Sequence, residues 1–338
     1  MKLAIVILNW NGVGMMRRFL GGVVRHSQAA RVIVADNGST DASLDWLEEE
    51  MPAVRVIPLD RNYGFAEGYN QALRQVEAEY YLLLNSDVEV RQGWFQPMLS
   101  YMESHPEVAA CQPKLLSQSH TDCFEYAGAC GGFLDGLGYP YCRGRVFGTV
   151  ERDEHQYDKP LLCHWATGAC LMVRSRDYWD AGGLDARFFA HQEEIDLCWR
   201  LRARGRQVVC VPESVAYHVG GGTLPAENPF KTFLNFRNNL LLVYKNMPSS
   251  RLPRVMALRL LLDAAASLRF LFAGEWRSSL AVPRAWWAFL RMRSRFAKDR
   301  RENLRRTVCD MIGDNAGSIV WQYYVRGRKT WAEIAGKA

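Results

Sequence analysis

Carboxylates, amides and one imidazole stand where this sequence leaves its apolar runs. In "YYLLLNSDVEV" three leucines give way to Asn85-Ser86-Asp87. A carboxylate ending a buried strand, with Asn85 two residues before it, suits a divalent cation and, through it, a diphosphate, since Mg2+ and Mn2+ take carboxylate oxygens together with substrate phosphates. The same Asn-x-Asp spacing serves equally well as an Asx turn or a helix cap. In "VIVADNGSTDAS", Asp36 ends an apolar run and is placed to accept N–H groups of a pyrimidine or a ribose hydroxyl, whereas Asp41 reads as a structural cap for the helix that follows. "FFAHQEEIDLCWRLRARG" crowds Glu193, Glu194 and Asp196 into one first helical turn behind two phenylalanines. A helix N-terminus tolerates carboxylates through its dipole, and a carboxylate at an apolar mouth is suited to take a proton from a hydroxyl. In "VAYHVGGG", His218 precedes three glycines; it reads either as a packed residue or as a metal ligand.

The elements that must position these groups alternate. "LAIVIL", "RVIVAD", "VRVIPLD" and "YYLLLNSD" read as strands, and Met15–His26, Ser43–Glu50 and Phe65–Val76 as the helices between them. This rhythm predicts an α/β fold with a mainly parallel sheet flanked by helices. Such sheets take ligands at the carboxyl ends of their strands, and here those ends carry Asn9-Trp10-Asn11, Asp36-Asn37-Gly38, Asp60-Arg61-Asn62 and Asn85-Ser86-Asp87. From Glu103 to Lys159 no period is readable. "ATGACLMVRS" reads as a further strand and Glu193–Arg204 as an amphipathic helix closed by Gly205.

With 338 residues, 49% of them hydrophobic, the chain suffices for about two domains. The boundary is expected between Leu224 and Pro248, giving a domain over 1–245 and a basic helical region over 246–338. The net charge of +6 is concentrated: Arg251–Arg306 holds 14 basic against 4 acidic residues. Its mixture of Arg with Leu, Phe and Trp matches an in-plane membrane anchor for an anionic surface, or an ordinary helical subdomain with a basic face. No recognised nucleic-acid motif accompanies the charge, so no nucleic-acid partner is expected. No apolar stretch approaches the ~20 residues of a membrane span. The apolar run at the N-terminus is short and ends on polar residues, so it reads as a strand rather than a leader. The nine cysteines form no CxxC pair and are expected to be reduced, buried thiols of a cytosolic protein.

"VILNWNG", "VIVADNGSTDAS", "RNYGFAEGYNQAL", "YLLLNSDVEV", "TGACLMVRS", "FFAHQEEIDLCWRLRARG" and "VPESVAYHVGGGT", in this order, resemble the inverting glycosyltransferases of family two with the GT-A fold, and within them the bacterial rhamnosyltransferase-like enzymes of surface polysaccharide biosynthesis. The resemblance runs from Lys2 to Tyr244. It implies a nucleotide-sugar site drawing on Asn9, Asp36, Asn62, Gly64, Asn70, Asn85, Asp87 and Gly168, with Asp36 toward the base. It puts Asn85-Ser86-Asp87 at the family's DxD position, with Asp87 and His218 as ligands of Mg2+ or Mn2+. The first acid of that motif is Asn85 here, which removes one charge and implies either weaker metal affinity or more reliance on His218. Glu193-Glu194 matches the family's Glu-Asp pair, so the implied general base is Glu194, one methylene longer than the usual Asp, with Asp196 as the alternative. The implied donor is dTDP-rhamnose or a UDP- or dTDP-hexose, and the implied acceptor a glycan or an undecaprenyl-diphosphate-linked glycan at the inner face of the cytoplasmic membrane. Two other functions stay open: a sugar-phosphate nucleotidyltransferase, for which "ILNWNGVGMMRR" is a poor phosphate loop, and a non-catalytic or degenerate transferase acting as a membrane-associated binding module. No GxGxxG lies between a strand and a helix, which argues against a redox enzyme.

Overall fold

A computed structural model describes residues 1–125, 128–220, 228–312 and 317–336. Its first half follows the alternation: β1 (Leu3–Asn9), α1 (Val13–His26), β2 (Arg31–Asp36), α2 (Ser43–Glu50), β3 (Arg55–Pro58), α3 (Gly64–Leu73) and β4 (Tyr80–Leu84). These strands lie parallel in the order β3-β2-β1-β4. Both faces are covered, so β4 is apolar and buried at all five positions. Parallel register brings Asn9 opposite Asp36, so neighbouring strand ends meet side by side.

β5 (Val88–Val90), α4 (Gln96–Ser104) and β6 (Val108–Ser117) come next, then four short strands, β7 (Gly132–Leu134), β8 (Pro140–Cys142), β9 (Arg145–Val146) and β10 (Thr149–Val150), which form a separate small sheet. β11 (Leu161–Leu162), β12 (Cys170–Arg174), α5 (Ser175–Ala181), α6 (Glu193–Ala203) and β13 (Gln207–His218) complete the main sheet, in the order β11-β13-β6-β12-β4-β1-β2-β3. The expected parallel sheet is thus half of a mixed one: β12 runs antiparallel to both β4 and β6, while β6 and β13 are parallel. Residues 103–159 gave no period because β7–β10 are two or three residues long. β6 is hidden for another reason: its buried Gln112 and Lys114 flank Pro113 and interrupt the apolar run. Inside, Gln112 Oε1 accepts the Thr167 N–H at 3.0 Å and Lys114 pairs with Asp153 at 2.8 Å.

Apolar side chains pack on both faces of the sheet, with Met16, Leu20, Leu47 and Met98 on one side and Tyr69, Trp199 and Leu240 on the other. α7 (Pro229–Asn246) crosses the expected boundary, its N-terminal side lying next to residues 224–227, which are outside the described segments. Leu240 to Val243 of α7 belong to the same core as α6, so α6 is buried on nearly all sides rather than amphipathic. α8 (Leu252–Phe272), α9 (Trp276–Met292) and α10 (Ala297–Arg306) follow, and α11 (Trp331–Ala335) ends the described chain. All nine cysteines are free thiols; seven are buried, Cys123 is half-buried and Cys309 exposed.

Candidate active site

β12 decides where the site lies. Because it runs antiparallel to β4, its beginning sits beside β4's end, and the Asn85 N–H donates to the Ala169 carbonyl at 3.0 Å. One residue earlier, the Gly168 amide supports the Glu194 carboxylate. A side chain at Gly168 would meet the Phe65 ring at 3.3 Å and Glu194 Cγ at 3.7 Å. Asn85, Gly168 and Glu194, 109 residues apart from first to last in the sequence, form one continuous wall.

On the other side of Asp87 the chain enters β5, whose three residues pair antiparallel with the last residues of β13, Val88 opposite His218. That pairing sets His218 Nε2 at 3.1 Å from Asp87 Oδ1. Its Nδ1 lies 3.3 Å from Glu125 Oε1. Burial alone would lower the imidazole pKa, but the two carboxylates outweigh it and raise the value to about 10. Among the described residues no group of three or more His, Cys, Asp or Glu is arranged to hold a metal. A cation here would rest on Asp87 and His218 and complete its shell with phosphate oxygens and water, and it would have to displace the imidazole proton. The carboxylate and imidazole fit such an ion on those terms.

Glu193 and Glu194 open α6. Both have an Oε2 atom that is buried and without a hydrogen-bond partner. Burial pushes the Glu194 carboxyl up, against the amides of the helix start and of Gly168 that stabilise its anion, and leaves it at about 7. Glu193 is raised well above the carboxylate range by burial and then by the charge of Glu194. A lone acceptor poised near neutrality is the state a general base needs. Asp196, the alternative base, is committed elsewhere. It is 0% exposed, and it accepts from Arg200 Nε at 2.9 Å, Lys245 Nζ at 2.8 Å and Asn246 Nδ2 at 2.8 Å. Although burial raises its pKa, the Arg200 and Lys245 charges outweigh it and hold the carboxyl low. It locks α7 to α6 and has no free position for an acceptor.

The strand-end residues sort in the same way. Asp36 is closed: Oδ2 accepts from Asn9 Nδ2 at 2.9 Å and Oδ1 from the Ser39 N–H at 2.9 Å. It buckles the β1 and β2 ends together, while Asn9 Oδ1 stays buried and unpartnered. Asn62 Oδ1 accepts from the Gly64 N–H at 2.8 Å and from Asn37 Nδ2 at 3.1 Å, which ties the loop after β3 to the loop after β2. Gly64 has φ +75°, and a Cβ there would lie 2.8 Å from the Phe189 ring. Asn70 departs from its expected role. Its Oδ1 accepts from Tyr178 Oη at 2.7 Å and its Nδ2 donates to the Leu184 carbonyl at 2.8 Å, so it frames the segment leading to Asp185 from behind. Asp41 accepts the Ser43 and Val13 N–H groups, as a cap should.

Sequence reasoning passed over the clamp that shapes the approach to Glu194. Phe189, His191 and Gln192 all have φ near +70°, a costly run for residues with side chains. Asn238 of α7 holds it: one Nδ2 donates to the Phe188, Ala190 and His191 carbonyls at 3.0, 2.8 and 2.8 Å. Asn239 Nδ2 donates to Gln192 Oε1 at 2.9 Å. The signal was the polar "RNN" inside an otherwise apolar helix. Glu125 was also missed, in the stretch that has no readable period.

Comparison with known proteins bears on the family and the fold. Residues 4–128 match the family described as glycosyl transferase family 2. The N-acetylglucosaminyl-diphospho-decaprenol L-rhamnosyltransferase of Mycobacterium tuberculosis is 24% identical over 231 residues, covering 64% of this chain and 75% of its own. The structure of GalNAc-T7 with UDP, GalNAc and Mn2+ superposes with a TM-score of 0.58 at 13% identity, over 96% of this chain and 56% of that one. S. aureus TarS 1–349 gives a TM-score of 0.52 at 15% identity, over 90% and 89%. At these identities the two structures establish the fold, which is GT-A.

Proposed function

From the match of residues 4–128 to glycosyltransferase family 2 and the GT-A fold, we propose that the protein moves a sugar from a nucleoside diphosphate donor to a hydroxyl of a glycan or lipid-linked glycan, with inversion and with a divalent cation. The donor's diphosphate lies at Asp87 and His218, and its sugar along Asn85 and Gly168 toward Glu194. A cation held by Asp87 and His218 would offset the negative charge that develops on the departing nucleoside diphosphate. A set containing imidazole suits Mn2+ better than Mg2+, which prefers oxygen ligands throughout. Glu194 Oε2 accepts the acceptor hydroxyl's proton as its oxygen bonds to the anomeric carbon; the bond to the diphosphate breaks on the opposite face, which inverts that carbon. No second carboxylate nucleophile is needed. Asp36 and Asn9 order the loops around the nucleotide rather than offering a free carboxylate. A relative named for L-rhamnosyl transfer to a diphospho-decaprenol-linked sugar supports a rhamnosyl donor and a polyprenyl-diphosphate-linked acceptor as candidates; dTDP-rhamnose, UDP- and dTDP-hexoses are the donors to be tried, and the inner face of the cytoplasmic membrane is the place this reading proposes. The domain of 1–245 then includes nearly all of α7, because its Asn238 shapes the site.

One observation carries this reading: the unpartnered Glu194 oxygen is joined through Gly168, Ala169 and Asn85 to the Asp87–His218 pair. The test is thermal unfolding with dTDP, UDP and their sugars, with and without Mn2+, on the wild type and Asp87→Ala. A ligand at 100 times its Kd stabilises the native state by about 2.7 kcal/mol. A metal-dependent rise in Tm that Asp87→Ala abolishes is expected, with transfer lost in the same variant. A nucleotide shift that is equal in both proteins would remove Asp87 from the site.

A further inference from the structure

α8 is built inside out. Its buried stripe is Val255, Arg259 and Asp263, spaced four residues apart on one face. Arg259 is 1% exposed, hydrogen-bonds Asn239 Oδ1 and lies 3.8 Å over the Tyr139 ring. Asp263 accepts from Tyr139 Oη at 2.8 Å and Trp286 Nε1 at 3.0 Å. The outward side carries Leu260, Leu261, Leu268, Leu271 and Phe272, with Leu261 68% and Phe272 87% exposed. A helix facing water shows the reverse order, and an apolar surface of this kind marks an interaction site.

α9 repeats the theme with charge added. Trp276, Leu280, Trp287 and Leu290 are exposed at offsets of 0, 4, 11 and 14, one helical stripe. Arg277, Arg284 and Arg291 recur every seven residues beside it, nearly in line because seven residues close two turns to within ~20°. Arg277 and Arg291 lie 5.2 and 5.9 Å from the centres of the Trp276 and Trp287 rings, and none of the three has a carboxylate partner among the described residues. α8 and α9 are joined at Gly274 and pinned by Ser267 Oγ donating to the Ser279 carbonyl at 2.9 Å.

We propose that the α8–α9 hairpin is a docking surface for an anionic lipid bilayer, lying in the plane of the headgroups. Leucines, phenylalanine and tryptophans meet the acyl boundary while the arginine stripe meets lipid phosphates. No described helix is long and apolar enough to cross a membrane. A second copy of this chain fits less well, since two such faces would oppose unpaired arginines, and like-charge juxtaposition is costly. The docking rests on the lipid-linked acceptor reading only for its purpose; its readout is independent of catalysis.

The test is flotation of the full chain with vesicles of phosphatidylcholine alone or mixed equally with phosphatidylglycerol. Wild type should float with the mixed vesicles and detach as salt rises. Arg277→Gln/Arg284→Gln/Arg291→Gln should weaken binding on the order of 100-fold, at roughly fivefold per cation. Leu261→Asp/Leu268→Asp should abolish flotation while keeping the circular dichroism spectrum and the nucleotide-induced rise in Tm. Flotation without any nucleotide response would uphold the surface even as the catalytic reading fell. Failure of the wild type to float, equal flotation of all three proteins, or a concentration-dependent dimer that the aspartates dissolve in the absence of vesicle binding, would each overturn the proposal.

Discussion

Replacing Glu194 by Gln should slow transfer severely and, at the same time, stabilise the protein. The carboxyl is held at about 7 in the folded chain against 4.5 when free, so between those values the native state binds more protons than the unfolded state. Stability contributed by this group is therefore full below about pH 4.5 and declines as pH rises toward 7. The difference between 4.5 and about 7 corresponds to roughly 3 kcal/mol lost above pH 7. Gln presents the pattern of the protonated acid, an acceptor toward the amides of Gly168 and the helix start and a donor at the Oε2 position, and it carries no charge. It should recover most of that ~3 kcal/mol, and for 338 residues this is a Tm gain of about 4 °C near pH 8 that shrinks to nothing near pH 4.5. Removing the base should lower kcat by about 10²–10⁴-fold, and wild-type kcat should rise with pH through about 7. Asp196→Asn is the control with the opposite sign. Its carboxyl is held low by Arg200 and Lys245 despite burial, so it stabilises the fold above the unfolded pKa and ceases to do so as pH falls. Breaking that buried network should cost about 3–5 kcal/mol. The assay is Tm against pH for the three proteins, with transfer measured on the folded fraction. A Glu194→Gln protein that transfers normally, or is no more stable than wild type at pH 8, would refute the assignment.

Two further outcomes follow from the loops. Asn238→Ala removes the one amide bridging three carbonyls before α6; at about 1 kcal/mol per bond the loss should be about 2–3 kcal/mol by urea unfolding, with a drop in kcat larger than any change in donor KM, because the clamp orients Glu194 and not the diphosphate site. Gly38→Ala should be among the most destabilising single changes in the donor region, since φ is +71° and the new Cβ would lie 2.5 Å from the Arg61 backbone; a Tm within 1 °C of wild type would show that the two loops are not in the contact described.

The residues that end the parallel strands were legible because fully buried strands write themselves as continuous apolar runs, and the first polar residue after each run marks the edge where ligands bind. Asp87 was singled out in this way, whereas His218 stood out as an imidazole before three glycines and Glu194 as a carboxylate at a helix start that the family resemblance proposes as base. Which of them act together was not legible. It depends on β12 running antiparallel beside β4 and on β5 pairing back onto β13, and the information for both pairings lies in contacts between residues far apart in sequence. The same limit explains Asp196 and Asn70, which look like site residues until Lys245, Asn246 and Tyr178 arrive from other elements and occupy them. α8 shows the converse: its composition disclosed a basic, apolar helix, but only packing against Tyr139 and Asn239 decided that Arg259 and Asp263 turn inward and the leucines outward. The sequence by itself determined the alternating elements, the polar strand ends and the chemistry available there, since these follow from local periodicity and residue type. Tertiary structure alone decided which carboxylates are already satisfied and which remain free, because a carboxylate's availability is set by the donors that folding brings to it.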